Sequence, residues 1–259
     1  MSDFLDKLAQ DAKETIAEGY YEISRKNSFF SVSLKQAVIE QKQNAVISEV
    51  KAASPSRGTI KTGFDPAEIA KAMKKGGATG LSVLTEPKQF KGSLNYLIKI
   101  RDVIKLPILM KDIILSPVQI EAGSKLGANV VLLIKALFDR GYCEESLEGM
   151  IALAHSKNLE VLLETHNESE FNSALQTDAD LVGINNRDLR TLEVHIKTTE
   201  KILEKIKTKN KVVVSESGIL VPSDIVFLRN CGADAFLIGS SIMMSDNLEK
   251  TVKEFVNAQ

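Results

Sequence analysis

A pair of small residues recurs at a nearly fixed interval along most of this chain. Gly77-Ala78, Gly127-Ala128, Asp178-Ala179 and Gly232-Ala233 each stand just ahead of a short apolar run, and their alanines lie 50, 51 and 54 residues apart. An interval of roughly fifty residues holds two strands and two helices, so the repeat marks every second strand of an alternating chain. The glycine, where the pair has one, reads as a left-handed helix C-cap, and the alanine as a tight lead-in to the strand. The expected strands are 46–51, 81–84, 108–111, 130–134, 161–164, 181–185, 212–215 and 235–238. Helices fall between them, several opening on capping signals: Asp65-Pro66, Ser116-Pro117, and Pro222 with Ser223 and Asp224 behind it. Eight such units after residue 44 favour a closed parallel α/β architecture, the (β/α)8 TIM barrel, over an open doubly wound sheet.

The first forty-odd residues carry no such alternation. Phe4, Leu5, Leu8, Ala12, Thr15 and Ile16 recur at helical spacing up to Gly19, and Ser33 caps a second helix with Leu34, Ala37 and Val38 on one side. A loop is expected across 27–31. The organisation is then an N-terminal helical extension, 1–43, packed on a catalytic barrel, 44–259, in one structural domain.

Composition excludes several classes. Net charge is -1 without a long basic or acidic block, so neither a nucleic-acid groove nor an anionic membrane patch is expected. The most apolar window, 130–138, is broken by Lys135 and is far shorter than the ~20 residues a span needs. The opening M-S-D-F-L-D-K-L is charged from its third residue and has no signal-peptide core. Cys143 and Cys231 stand alone, which fits a reducing compartment. A cytoplasmic protein, acting as a monomer, is the expectation.

Within this frame the stretch V-I-S-E-V-K-A-A-S-P-S-R-G (46–58) is unusual. Glu49 and Lys51 project from the same face of the strand as Ile47, carrying two opposite charges toward an apolar interior. Burying charge without partners costs several kcal/mol, so the strand reads as part of a site, followed by a turn at Ser54-Pro55-Ser56. Other strands end in the same manner: Lys111 on the third, Glu164 on the fifth, Asn185 and then Arg187 on the sixth, Glu216 on the seventh. A charged residue at a strand end is ordinarily just the first solvated position. A barrel, however, brings all these ends to one mouth, where lysines and glutamates shift one another's proton affinity and supply acids and bases. The loops after the seventh and eighth strands are the usual phosphate site of such barrels. Ser217-Gly218 and Gly239-Ser240-Ser241 suit it, with Ser54 from the first loop. The three histidines lack metal-ligand spacing, and there is no G-x-G-x-x-G fingerprint. The residues unaided point to a metal-free, cofactor-free acid–base reaction on a phosphorylated small molecule.

Taken together, E-V-K-A-A-S-P-S-R-G, L-T-E-x-x-x-F-x-G-S (84–93), L-M-K-D (109–112), I-N-N-R-D-L (184–189), S-E-S-G-I (215–219) and F-L-I-G-S-S (236–241) resemble the indole-3-glycerol-phosphate synthase family over essentially the whole chain. The resemblance implies ring closure of 1-(2-carboxyphenylamino)-1-deoxyribulose 5-phosphate, with loss of carbon dioxide and water, in tryptophan biosynthesis. It implies Lys111 as general acid of ring closure, Glu164 as acid/base partner and Lys51 beside the substrate carboxylate. Glu49 and Glu216 would hold the lysines charged, with Asn185 and Arg187 positioning hydroxyls and glutamates. Ser54, Ser217, Gly218, Gly239 and Ser240 would hold the phosphate, and Phe90, Ile113 and Leu237 would wall the ring. The resemblance does not divide the steps between the two lysines. Family members often carry a basic residue where this chain has Ala52, and phenylalanine where it has Ile113. Two rival readings are a sugar-phosphate isomerase or aldolase with Lys51 or Lys111 as Schiff-base nucleophile, and a non-catalytic phosphate-binding scaffold.

Overall fold

Eight parallel strands close on themselves in the computed structural model, which describes residues 3–24, 29, 31–54, 58–206, 208 and 211–259. They are β1 (Ala45–Val50), β2 (Gly80–Leu84), β3 (Ile108–Lys111), β4 (Val130–Ile134), β5 (Glu160–Thr165), β6 (Leu181–Asn185), β7 (Val212–Glu216) and β8 (Ala235–Ile238). Closure is made by β1, where Ile47 lies opposite Gly80 on one side and Leu237 on the other. The chain is therefore a (β/α)8 barrel, with every strand within a residue or so of its expected place. A two-residue ribbon, Ala53–Ser54 against Gly58–Thr59, follows β1 and was not anticipated. The expected loop across 27–31 and the turn Ser54-Pro55-Ser56 fall largely outside the described residues.

Alternation along each strand sorts the core into two shells. Ile47, Leu109, Leu132, Leu162, Val214 and Leu237 fill the barrel interior. Val46, Met110, Val131, Val161, Val182 and Phe236 face outward, under the ring of helices. Those helices are α3 (Pro66–Lys75), α4 (Leu94–Arg101), α5 (Pro117–Leu126), α6 (Lys135–Asp139), α7 (Leu147–Ser156), α8 (Glu168–Ala174), α9 (Lys197–Lys205), α10 (Pro222–Cys231), α11 (Ser240–Met243) and α12 (Leu248–Val256).

The two helices of the N-terminal segment serve opposite ends of the barrel. At the amino end, α2 (Leu34–Glu40) inserts Leu34 and Val38 into the interior cluster. Its N-terminus sits on Glu160, which accepts the Leu34 and Lys35 backbone N–H groups at 2.7 and 3.2 Å and the Ser33 hydroxyl. Negative charge is favoured at that helix end. At the carboxyl end lies α1 (Phe4–Ala17), whose Leu5, Leu8, Ala9 and Ala12 pack into the same cluster as Ile113 and Ile134. Asp3 and Asp6 pair with Arg140 at 2.7 and 2.6 Å, and Glu14 with Lys88 at 2.7 Å, tying α1 to the end of α6 and to the loop after β2.

The fifty-residue echo acquires a structural reason. Gly77, Gly127 and Gly232 have φ of +95°, +88° and +106°, as a left-handed cap requires. Asp178 does not: its place is taken by a turn in which the Thr177 hydroxyl accepts the Ala179 backbone N–H at 3.3 Å, so no left-handed residue is needed. The residue after the alanine matters more at three of the four pairs, Thr79 being tied to β1 through its backbone N–H instead. Asn129, Asp180 and Asp234 each accept, through a side-chain oxygen, a backbone N–H from the neighbouring odd-numbered strand: Ile108 at 3.1 Å, Val161 at 2.8 Å and Val213 at 2.8 Å. The repeat thus stitches the amino rim, strand pair by strand pair. Among the described residues no helix is long and apolar enough to cross a membrane.

Candidate active site

The carboxyl ends of the strands open on one cavity of about 460 Å3. All the charged, amide, phosphate-loop and ring-wall positions expected from the sequence line it except Ser241, whose hydroxyl donates to the Ile219 carbonyl at 3.0 Å. The strand pleat accounts for this: Glu49, Lys111, Glu164, Asn185 and Glu216 each lie two residues beyond an inward-facing apolar or glycine position, so they continue the interior face upward.

Two ion-pair groups stand in the mouth. Lys111 Nζ donates to Glu164 Oε2 at 2.9 Å and to Glu216 Oε2 at 3.1 Å, bridging β3 to β5 and β7. Lys51 Nζ lies 2.8 Å from Glu49 Oε1. The three carboxylates are almost fully buried, at 3% exposure for Glu49, 2% for Glu164 and 1% for Glu216. Glycines make room for them. A side-chain carbon at residue 239 would stand 2.5 Å from Glu49 Oε1 and 2.8 Å from Lys51 Nζ, and one at residue 183 would collide with Glu216 Oε1. A larger residue at either place would push those charged ends out of their present positions.

The buried groups set one another's protonation. Burial alone would discharge Lys111, but Glu164 and Glu216 outweigh it and hold the ammonium well above the ordinary lysine range. Burial likewise opposes charge on Glu164. Lys111, with His166 and the Asn185 amide donating at 3.0 Å, nevertheless keeps its carboxyl well below the usual range. Glu216 has the weaker support. Burial, reinforced by the like charge of Glu164, pushes it up to about 7 against the pull of Lys111. Its Oε1 makes no hydrogen bond among the described residues. One ammonium between a firm carboxylate and one that titrates near neutrality is an acid with a proton reserve at its side.

The phosphate-loop positions line the same cavity beside these charges, Ser217 next to Glu216 and Gly239 against Glu49 and Lys51. Ser217 and Gly218 turn the chain sharply after β7 with φ of +66° and +84°, a conformation that is costly for a serine and characteristic of functional turns. The Ser54 hydroxyl is buried and has no hydrogen-bond partner among the described residues. Arg187 lines the cavity and donates Nη1 to the Leu192 carbonyl at 2.9 Å, closing the loop after β6.

Several site neighbours escaped the sequence reading. Leu8 of α1 reaches the cavity beside Phe90 and Ile113. Asp112 also lines it, accepting hydrogen bonds from the Tyr21 hydroxyl at 2.9 Å, from the Thr85 hydroxyl and from the Ile113 backbone. Burial pushes its carboxyl up to about 7 despite those donors. His166 stands behind Glu164. For Leu8 the only signal was an apolar residue on a helical stripe, and for Asp112 its place next to Lys111. Among the described residues no group of three or more His, Cys, Asp or Glu is disposed to hold a metal ion.

Known proteins resemble this chain along nearly its whole length. A family model described as "Indole-3-glycerol phosphate synthase" matches residues 5–255. Among curated relatives, the protein of that name from Caldanaerobacter subterraneus subsp. tengcongensis is 42% identical over 250 residues, covering 96% of this chain and 94% of its own. That from Methanocaldococcus jannaschii is 41% identical over 258 residues, covering 99% of this chain and 90% of its own. Solved structures carry the fold alone. A thiamine phosphate pyrophosphorylase from Pyrococcus furiosus superimposes with a TM-score of 0.60 at 16% identity, over 84% of this chain and 95% of that one.

Proposed function

The chain belongs to the indole-3-glycerol phosphate synthase family, and we propose how its own side chains carry that family's reaction. The enzyme is a carbon–carbon lyase of tryptophan biosynthesis, closing 1-(2-carboxyphenylamino)-1-deoxyribulose 5-phosphate to indole-3-glycerol phosphate with release of carbon dioxide and water. With the substrate carboxylate ionised, each turnover consumes one proton, because the electron pair freed as carbon dioxide leaves is matched by protonation at oxygen.

Lys111 gives that proton. The ring carbon bearing the carboxylate attacks the ribulose carbonyl, and the Lys111 ammonium protonates the oxygen as it becomes an alkoxide. Lys51, held by Glu49, meets the carboxylate and serves as acid when the hydroxyl leaves as water. As the hydroxyl leaves, Glu164 takes a proton from the methylene carbon beside the anilino nitrogen, which keeps its N–H in the indole. That proton makes good the one Lys51 gave. Asn185 fixes the orientation of Glu164, and Arg187 holds the loop beside it. Glu216, partly protonated near neutral pH, returns a proton to Lys111 after turnover. Ser54, Ser217, Gly218, Gly239 and Ser240 take the phosphate, and Phe90, Ile113 and Leu237, joined by Leu8, wall the aromatic ring.

The observation that carries these roles is the position of Lys111 Nζ between two buried carboxylates in the mouth. It also weighs against Schiff-base chemistry, which needs a neutral amine. The test is indole fluorescence as the anilino substrate is converted: Lys111→Ala abolishes the signal, and borohydride added during turnover traps no substrate on lysine. Normal turnover by that variant removes Lys111 from the acid role.

The same reading treats 1–43 as an extension that completes the catalytic unit, since α1 contributes Leu8 to the cavity. It also has the protein acting in the cytoplasm as a monomer on a small molecule, without nucleic acid or cofactor. Every residue given a role comes from one chain, so dilution through the micromolar range leaves specific activity unchanged; a concentration-dependent loss contradicts the monomer.

A further inference from the structure

Glu164 has a second charged neighbour on the side away from the cavity. His166, two residues further on, has a side chain 11% exposed, whose ring Nε2 stands 3.1 Å from Glu164 Oε1. Its Nδ1 stands 3.3 Å from Oε2 of Glu170 on α8, and the same oxygen accepts the His166 backbone N–H at 2.9 Å. A neutral imidazole has one N–H and one lone pair, so it would turn a lone pair on one of these carboxylates. Only the imidazolium suits both. The Nε2 approach also falls outside hydrogen-bond geometry, which leaves charge as the attraction. Burial works against that charge, but Glu164 and Glu170 together hold the ring up to about 9.

The surroundings fix what this cation does. Lys111 from β3 occupies Glu164 Oε2, and Asn185 from β6 shares Oε1 at 3.0 Å. Glu216 on β7 acts through Lys111, and Glu49 on β1 lies across the mouth. Helix α6, packed on β5 and α8, brings Lys135 already paired with Asp139, and Arg187 follows β6. His166 is not part of the cavity wall, so it reaches the reaction only through Glu164.

We propose that His166 is a positioning residue for Glu164: braced by Glu170, its imidazolium keeps Glu164 ionised and Oε2 turned toward Lys111. This rests on the acid–base role of Glu164 given above. Without the second cation, Lys111 alone must hold Glu164 charged, and it must do so while itself giving up a proton.

Two variants test the brace in the intact enzyme. His166→Asn keeps an amide near Oε1 without charge. Glu170→Gln keeps an acceptor for the His166 backbone N–H while removing the carboxylate that helps hold the ring protonated. The readouts are kcat and KM against pH by indole fluorescence, and 15N shifts of histidine-labelled protein. His166→Asn lowers kcat about tenfold with KM little changed, and its acid limb moves up by about one pH unit, because Glu164 then takes a proton more readily. Glu170→Gln leaves the acid limb in place. It brings the loss of activity at high pH down by about one unit, in step with the His166 15N midpoint. Wild-type limbs in His166→Asn overturn the proposal, as does a lowered ring midpoint in Glu170→Gln with no change in the kcat profile. Full activity in Glu164→Gln is a different failure, that of the role of Glu164 itself.

Discussion

At the amino end of the barrel, polar side chains, from the buried Asn44 and Asn129 to the half-buried Glu160 and the exposed Asp234, close on backbone groups. Asn129 and Asp234 accept strand N–H groups, Glu160 caps α2, and Asn44 Nδ2 donates to the carbonyls of Phe255, Val256 and Ala258 at 3.2, 3.1 and 2.9 Å. At the carboxyl end, the buried polar side chains close on each other, with Lys111 shared between two glutamates and Glu216 Oε1 left over. One arrangement spends its polar groups on holding strands together. The other accepts the cost of desolvating charges and keeps their proton chemistry free for a substrate. Charge at a barrel strand's carboxyl end therefore reads as reaction, and at its amino end as architecture.

The contrast breaks first, and by the largest margin, if Glu164→Gln keeps its rate. The amide preserves shape and removes the base, so kcat per folded molecule falls by on the order of 10²-fold or more, beyond anything that a lowered urea midpoint from unpairing Lys111 and His166 accounts for; steady-state fluorescence and urea unfolding read the two. At the other end, Asn129→Ala removes the side-chain acceptor of the Ile108 N–H. It also removes one of the four acceptors that the Arg101 guanidinium has among the described residues, Asn129 Oδ1 at 2.6 Å. It loses roughly 2–3 kcal/mol of stability in urea unfolding, with kcat per folded molecule unchanged.

Glu216→Gln sharpens the comparison through pH. The folded carboxyl titrates near 7 against an ordinary value of 4.5, so the native state binds a proton that the unfolded chain releases between those values. Its contribution to stability is greatest in acid and falls as pH rises through that window. The variant removes this dependence, so its stability relative to wild type is higher at pH 8 than at pH 5 in paired urea titrations. Tyr21→Phe deletes one of the three donors to Asp112 and costs about 1 kcal/mol, read as a lower Tm. The smallest effect is at the ring wall. Ile113→Phe adds an aromatic face and tightens substrate binding roughly threefold; unchanged KM and Kd remove Ile113 from that wall.

Much of this was legible in the sequence because it is carried by local pattern. Apolar runs bounded by caps place the strands, and the period-two pleat places Glu49, Lys111, Glu164 and Glu216 on one face once closure is inferred. What stayed hidden depends on partners distant along the chain. Tyr21 and Asp112 are 91 residues apart and meet only because α1 crosses the mouth. His166 carries no metal-ligand spacing, and its use comes from standing between Glu164 and Glu170. The echo at Asn129, Asp180 and Asp234 was seen as spacing, but its hydrogen bonds reach back to the preceding strand and need the closed sheet to be read.

The most direct measurement sets single-turnover rates of Lys111→Ala and Asn129→Ala side by side at saturating enzyme, with Tm taken on the same samples. The account predicts that Lys111→Ala is at least about a hundredfold slower per folded molecule, with Tm lowered because Glu164 and Glu216 lose their cation, while Asn129→Ala converts substrate at the wild-type rate with Tm also lowered by several degrees. A Lys111→Ala variant that forms indole at the wild-type rate, or an Asn129→Ala variant slowed as much as Lys111→Ala, would contradict it.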